Sequence, residues 1–184
     1  MLADAMRLTS SNGKREVNTT SSLNRICSYA SAISPSHHFP TGLVTPVSRR
    51  LELLQWAQRT GGWIIEDDYD SEFRFDAHPK PALQALDGSG RVIYMNTFSK
   101  SLAPSIRISY MVLPTGLMEE FRRRLGFYSC TVPSFEQYTL ARFLSRGHFE
   151  KHINRMRKFY KQRRNTVVSL LENCAFSDFF RFCT

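Results

Sequence analysis

The sequence predicts an α/β fold with a mostly parallel sheet flanked by helices, and three observations carry that reading. Short apolar runs at 63–65, 92–95 and 106–113 stop abruptly, as buried parallel strands do. Segments of helical periodicity separate and follow those runs. The first two runs hand over directly to polar clusters, and ligands on parallel sheets bind beyond the strand carboxyl ends.

The elements follow in chain order. Residues 1–33 are polar, with TSSNGK and NTTSS clusters, and read as a divergent, flexible leader with a short strand near 26–33. SPSHHFPTG carries Pro35, Pro40 and Gly42 and reads as a loop. A helix is expected over about 46–59, with Val47, Leu51, Leu54 and Trp56 as its apolar face and Gly61 and Gly62 as its stop. The run at 63–65 ends in Glu66, Asp67, Asp68, Tyr69 and Asp70, and the run at 92–95 ends in Asn96, Thr97, Phe98, Ser99 and Lys100. Asp68, Asp70 and Glu72 are assigned to turns, capping or solvation. After an SLAPS turn the third run stops at Pro114, and helical patterns occupy about 117–125 and 134–171, the latter broken near Gly147.

The 184 residues are 42% apolar and 22% charged, which excludes wholesale disorder and collagen-like repeats. No run approaches the roughly 18 apolar residues of a membrane span, and residues 1–11 lack a secretory signal's apolar core. The expected compartment is the cytoplasm, with no membrane partner. The net charge of +9 is unevenly placed: residues 1–121 hold 12 basic and 12 acidic side chains, residues 122–184 hold 13 and 4. Its densest block, RGHFEKHINRMRKFYKQRR, repeats Phe149, Ile153, Met156 and Tyr160 at helical steps, so it reads as an amphipathic helix with a solvated basic side. Cys27, Cys130, Cys174 and Cys183 form no close pair and support neither zinc nor a disulfide framework. His148 and His152 are one turn apart but lack the glutamate and third ligand of a zinc helix, so they read as a structural or solvated pair.

The cluster at 97–107 offers the Thr97 and Ser99 hydroxyls, Lys100 and Arg107, donors and charges that suit a phosphate. Lys100 is either a phosphate partner or an amine nucleophile; the second role requires a lowered amine pKa, for which Arg107 is a candidate neighbouring cation. Composition alone favours an ordinary exposed lysine.

The blocks SPSHHFPTG, GWIIEDDYDSEFRFD, RVIYMNTFSKSLAPSIRISYMVLP and KHINRMRKFYKQRR, in that order, closely resemble the aminotransferase-like half of MocR/GabR-type regulators in the GntR family. That half is similar to fold-type I aminotransferases, which use pyridoxal 5′-phosphate. The resemblance covers 34–172 and divides the chain into a divergent leader (1–33), a partial class I/II-like large domain (34–172) and a divergent tail (173–184). It implies that Lys100 forms the imine with the cofactor, that Asp67 faces the pyridine nitrogen, and that Tyr69, expected on the same side of an extended segment, donates to the ring oxygen. It implies a phosphate site of Thr97, Ser99 and Arg107. Aminotransferases of this type carry asparagine just before the Pro-Thr-Gly step; Phe39 stands there, and His38 is the candidate replacement for the amide contact.

The implied function is a cofactor-binding, effector-sensing domain of a transcription regulator. The implied partners are an amino acid or amine effector, a second copy in the full-length family, and DNA through a winged-helix domain outside this sequence. Two alternatives stand beside it: an aminotransferase acting on amino acids, and a truncated inactive remnant. Segments resembling the glycine-rich phosphate turn, the ring-stacking aromatic and the substrate-carboxylate arginine lie outside the chain, so turnover is not expected of these residues alone.

Overall fold

The computed structural model describes residues 30–73 and 80–173. The expected leader, up to residue 29, and the expected tail, from residue 174, lie outside the described residues. The described chain falls into two compact units, one of residues 30–69, 80–96 and 110–127, the other of residues 70–73, 97–109 and 128–173.

The first unit is built on a four-stranded sheet in the order β1 (Ala30–Ile33), β2 (Trp63–Asp67), β3 (Val92–Thr97) and β4 (Ser109–Val112). β1 with β2 and β2 with β3 pair in parallel, in a register that sets Ile33 opposite Glu66 and Asp67 opposite Met95. Parallel neighbours need crossover connections. Helix α1 (Val47–Thr60) separates β1 from β2, and the short α2 (Leu83–Leu86) separates β2 from β3. The expected α/β class with a mostly parallel sheet is what the chain adopts.

α1 stops at Gly61, whose φ of 69° lies in the left-handed region that glycine enters without a Cβ penalty. Its buried residues are Arg50, Leu54, Trp56 and Ala57. Val47 and Leu51, expected on the apolar face, are exposed. The helix is rotated because Arg50 is buried completely, so the inward stripe runs through Arg50, Leu54 and Ala57. Leu54, Trp56 and Ala57 pack with Ile64, Leu83 and Val92, and Ile33, Leu53 and Leu86 cover that core.

Along β2 the pleat sorts side chains: Ile64 and Glu66 are buried, as is Asp68 just beyond, while Asp67 is exposed. β4 is shorter than the apolar run predicts and all four of its residues are exposed. Helix α4 (Thr115–Leu125) follows it, close to the expected span.

In the second unit, β3 runs straight into α3 (Phe98–Ser101), a single helical turn that the sequence pattern does not announce. Helices α5 (Ser134–Ser145) and α6 (His148–Glu172) pack together. They are separated where expected, at Gly147, whose φ of 69° again requires the left-handed region. On α6, Ile153 is buried and Phe149 and Met156 are half-buried, while Lys151, Arg155 and Lys158 are exposed. The amphipathic arrangement expected of the basic block holds through Met156, whereas Tyr160, expected on the same face, is exposed. None of the described helices is long and apolar enough to cross a membrane.

Candidate functional site

In the first unit the polar cluster begins at the carboxyl end of β2. Asp67 is the last residue of that strand and is exposed. The Asp68 amide donates to the Met95 carbonyl at 3.0 Å, which keeps the ends of β2 and β3 in step. Tyr69 lies in the turn past the strand and is half-buried. Its hydroxyl donates to the His37 carbonyl at 3.1 Å, and its ring stacks on that of His37 with centroids 6.4 Å apart and planes 17° from parallel. His38 is occupied within its own loop. Its Nδ1 lies 2.9 Å from Thr41 Oγ1, and its amide donates to the Leu43 carbonyl at 3.0 Å. Of the two loop histidines, His37 is therefore the one that meets Tyr69.

In the second unit the cluster at 97–107 is tied together by its own hydroxyls. Thr97 caps α3 by accepting from the Ser99 amide at 3.3 Å, and its hydroxyl donates to the Ile108 carbonyl at 3.2 Å. Ser99 Oγ donates to the Ile106 carbonyl at 2.7 Å, and the Phe98 amide to the Ile108 carbonyl at 2.9 Å. The returning segment 106–108 is thereby fastened to the turn that carries Lys100. Lys100 and Arg107 are both exposed, and neither has a partner among the described residues. An exposed primary amine and an exposed guanidinium thus stand in one hydroxyl-bearing loop, each able to donate to an anion.

Sequence reasoning missed the groups that brace these clusters. Asp68, assigned to turns or solvation, is instead buried, because the β2 pleat carries it to the same side as Ile64 and Glu66. It accepts from the Tyr94 hydroxyl at 2.9 Å, and Asn96 Nδ2 donates to that hydroxyl at 3.0 Å. Desolvation pushes the Tyr94 phenol well above its ordinary value, and the nearby Asp68 carboxylate adds to the rise against the opposing Asn96 bond. Glu66, fully buried, accepts from the Leu83 and Gln84 amides at 2.7 and 2.8 Å and so caps α2 from a neighbouring strand. Burial raises its pKa above the ordinary carboxylate value, outweighing those two bonds and the attraction of Arg50, while Asp68 pushes the same way as burial. The Arg50 guanidinium donates to three carbonyl oxygens, of Thr45 at 3.1 Å, Pro81 at 2.7 Å and Pro35 at 2.8 Å. The one local signal was Asp87 in DGSG. Its carboxylate accepts from Ser89, Arg91 and Val92 at the start of β3, and these bonds overcome desolvation to hold its pKa low.

Among the described residues no group of three metal-ligating side chains forms around His148 and His152. His152 instead meets the Ser101 carbonyl and the Arg155 guanidinium.

Comparison with known proteins agrees with the four sequence blocks. The chain is 49% identical over 140 residues to the uncharacterized HTH-type transcriptional regulator YdeL of Bacillus subtilis, covering 76% of this chain and 30% of that protein. It is 45% identical over 138 residues to the probable rhizopine catabolism regulatory protein MocR of Rhizobium meliloti, covering 75% and 28%. Among solved structures, the kynurenine aminotransferase of Pyrococcus horikoshii superposes with a TM-score of 0.71 at 36% identity, over 79% of this chain and 36% of that one. The chain thus spans about a third of the length of the proteins it matches. The family described as aminotransferase class I and II matches residues 33–180, and with the parallel sheet and the lysine turn after β3 this places the chain in the aminotransferase class I and II family.

Proposed function

We propose that this chain is part of a pyridoxal 5′-phosphate-binding domain that senses an amino acid or amine for a transcription regulator of the MocR type. The observation that carries it is the Lys100 amine and Arg107 guanidinium, exposed and without partners among the described residues, in a chain whose relatives at 45% and 49% identity are regulators. The donor set fits the cofactor, which needs an amine for its carbonyl and cations and hydroxyls for its phosphate.

When bound, the cofactor supplies an electrophilic carbonyl and a ring that accepts electron density. Lys100 would hold it through its side-chain amine. Asp67 keeps a proton on the pyridine nitrogen, because a carboxylate beside that nitrogen favours its charged form. Tyr69 donates to the ring oxygen, and His38 takes the place of the usual amide contact. Arg107 would pair with the phosphate, with the Thr97 and Ser99 hydroxyls as its further partners. The regulator acts in the cytoplasm as a homodimer and reaches DNA through a winged-helix domain beyond this chain.

Incubation of the chain with the cofactor, borohydride reduction and peptide mapping tests the reading. A pyridoxyl group on Lys100 is expected; one on Lys80 or Lys151 in its place refutes the assignment. Amino acids should then change the absorbance of the loaded protein without forming keto acid. Keto acid formation that is lost in Lys100→Ala would establish the aminotransferase reading instead, and the lack of any adduct would favour the inactive remnant.

A further inference from the structure

α3 is one turn long, and such a turn has little stability of its own because helix nucleation is unfavourable. Its two ends are nevertheless secured by side chains. At the start, Thr97 accepts from the Ser99 amide. At the end, the carbonyl of Ser101, a buried residue, lies 3.1 Å from His152 Nε2 on α6, and the Leu102 amide closes the turn on the Phe98 carbonyl at 2.9 Å. The other imidazole nitrogen, Nδ1, lies 3.3 Å from Arg155 NH2. A guanidinium only donates, so Nδ1 accepts, and the ring proton sits on Nε2, where it meets the carbonyl. Phe143 packs edge-on to the His152 ring at 6.5 Å, and Phe149 makes a second tie, its ring edge-on to Phe98 at 5.9 Å. Lys100 is the residue between the two secured ends.

We infer that His152 is a positioning residue for Lys100, donating from Nε2 to the terminal carbonyl of the lysine turn while Arg155 fixes its tautomer. The purpose of this bracing rests on the proposed role of Lys100; the bracing itself does not. Loss of the His152 bond frees the last carbonyl of a single turn, so the turn opens about tenfold more often. Glutamine is the conservative variant, since its amide nitrogen reaches as far as Nε2 and donates. Leucine fills similar space and donates nothing.

The test uses the full chain. Nitrogen-15 spectra of the histidine rings should show His152 as the Nε2–H tautomer in the unmodified protein, and Arg155→Met should release a mixture of tautomers. Hydrogen exchange at Leu102 should be about tenfold faster in His152→Leu and within about twofold of the parent in His152→Gln. Ile153→Val, a neighbouring core change, should lower global stability without that local effect. Pyridoxyl attachment at Lys100 should slow in His152→Leu and recover in His152→Gln. An Nδ1–H tautomer, unchanged exchange in the leucine variant, or a glutamine variant no better than leucine each overturns the inference. Should the leucine variant not fold, the tautomer and the glutamine variant still decide. If the parent takes no pyridoxyl group at Lys100 the cofactor reading fails, while tautomer and exchange still judge His152.

Discussion

Replacing Arg50 by methionine keeps the unbranched stem but removes every donor from a fully buried guanidinium. Three carbonyl oxygens lose a charged donor, those of Thr45 ahead of α1, Pro35 after β1 and Pro81 ahead of α2, and Pro35 keeps only the Thr45 amide. A hydrogen bond to a charged group contributes about 1.5–3 kcal/mol. The Pro35 bond is buried and the other two are partly so, so water recovers some of the loss at Thr45 and Pro81. The expected cost is therefore about 4 kcal/mol, a large share of the roughly 5–15 kcal/mol that holds a domain folded. Arg50→Lys retains the charge but only one compact head group, and should cost about 2–3 kcal/mol because a single ammonium cannot span three carbonyls in different directions. Urea titration followed by circular dichroism reads both, with a midpoint lowered by about 2 M for methionine at an m-value of about 2 kcal/mol/M. A loss below about 1 kcal/mol in the methionine variant, with lysine indistinguishable from the parent, would show that the guanidinium is no structural hub and would refute the argument.

Glu66 has its folded pKa raised from an ordinary value of 4.5, so its contribution is complete below that value and declines as pH rises through the higher folded one. The urea midpoint should fall over that window in the parent and stay flatter in Glu66→Gln; parallel profiles would contradict the burial argument. Asp67→Asn should leave attachment at Lys100 intact but weaken cofactor affinity about tenfold or more, read by absorbance titration, through loss of a charge-assisted contact of about 1.5–3 kcal/mol. Gly147→Ala forces a Cβ into the left-handed region and should cost about 1 kcal/mol, read as a lower thermal midpoint by circular dichroism. Equal midpoints would mean that the α5–α6 joint relaxes to another backbone conformation.

What the sequence made legible follows from what burial does to apolar runs. β2 and β3 are central strands, so Ile64 and Val92 needed to be apolar, and the abrupt change to acids or to hydroxyls and lysine marked where each strand leaves the sheet. Arg50, Glu66 and Asp68 escaped notice because a polarity pattern assigns charge to the surface, whereas each of these is buried among specific hydrogen-bond partners. The length of β4 was overestimated because Ile106 and Ile108 precede it, in the segment that returns to the lysine turn, where the Ile108 side chain is buried and the two carbonyls accept from Ser99 and Thr97. Tyr69 lies past the end of β2, in a turn where its hydroxyl meets the His37 carbonyl, a contact between distant segments that no local pattern displays. α3 was hidden because one helical turn is too short to display a period.

The pleat of β2 has a consequence for how the chain reaches its native pairing. Glu66 and Asp67 are adjacent acids with opposite fates, one capping α2 from within and the other left exposed. A strand that slid by one residue during folding would exchange them, and since both are carboxylates, charge alone would not reject the error. The Leu83 and Gln84 amides do reject it, because Glu66 has one more methylene than Asp67 and meets them in one register only. The four residues of α2 are thus tied to the register of β2: against a strand displaced by one residue, the Leu83 and Gln84 amides would lose the carboxylate that now meets them.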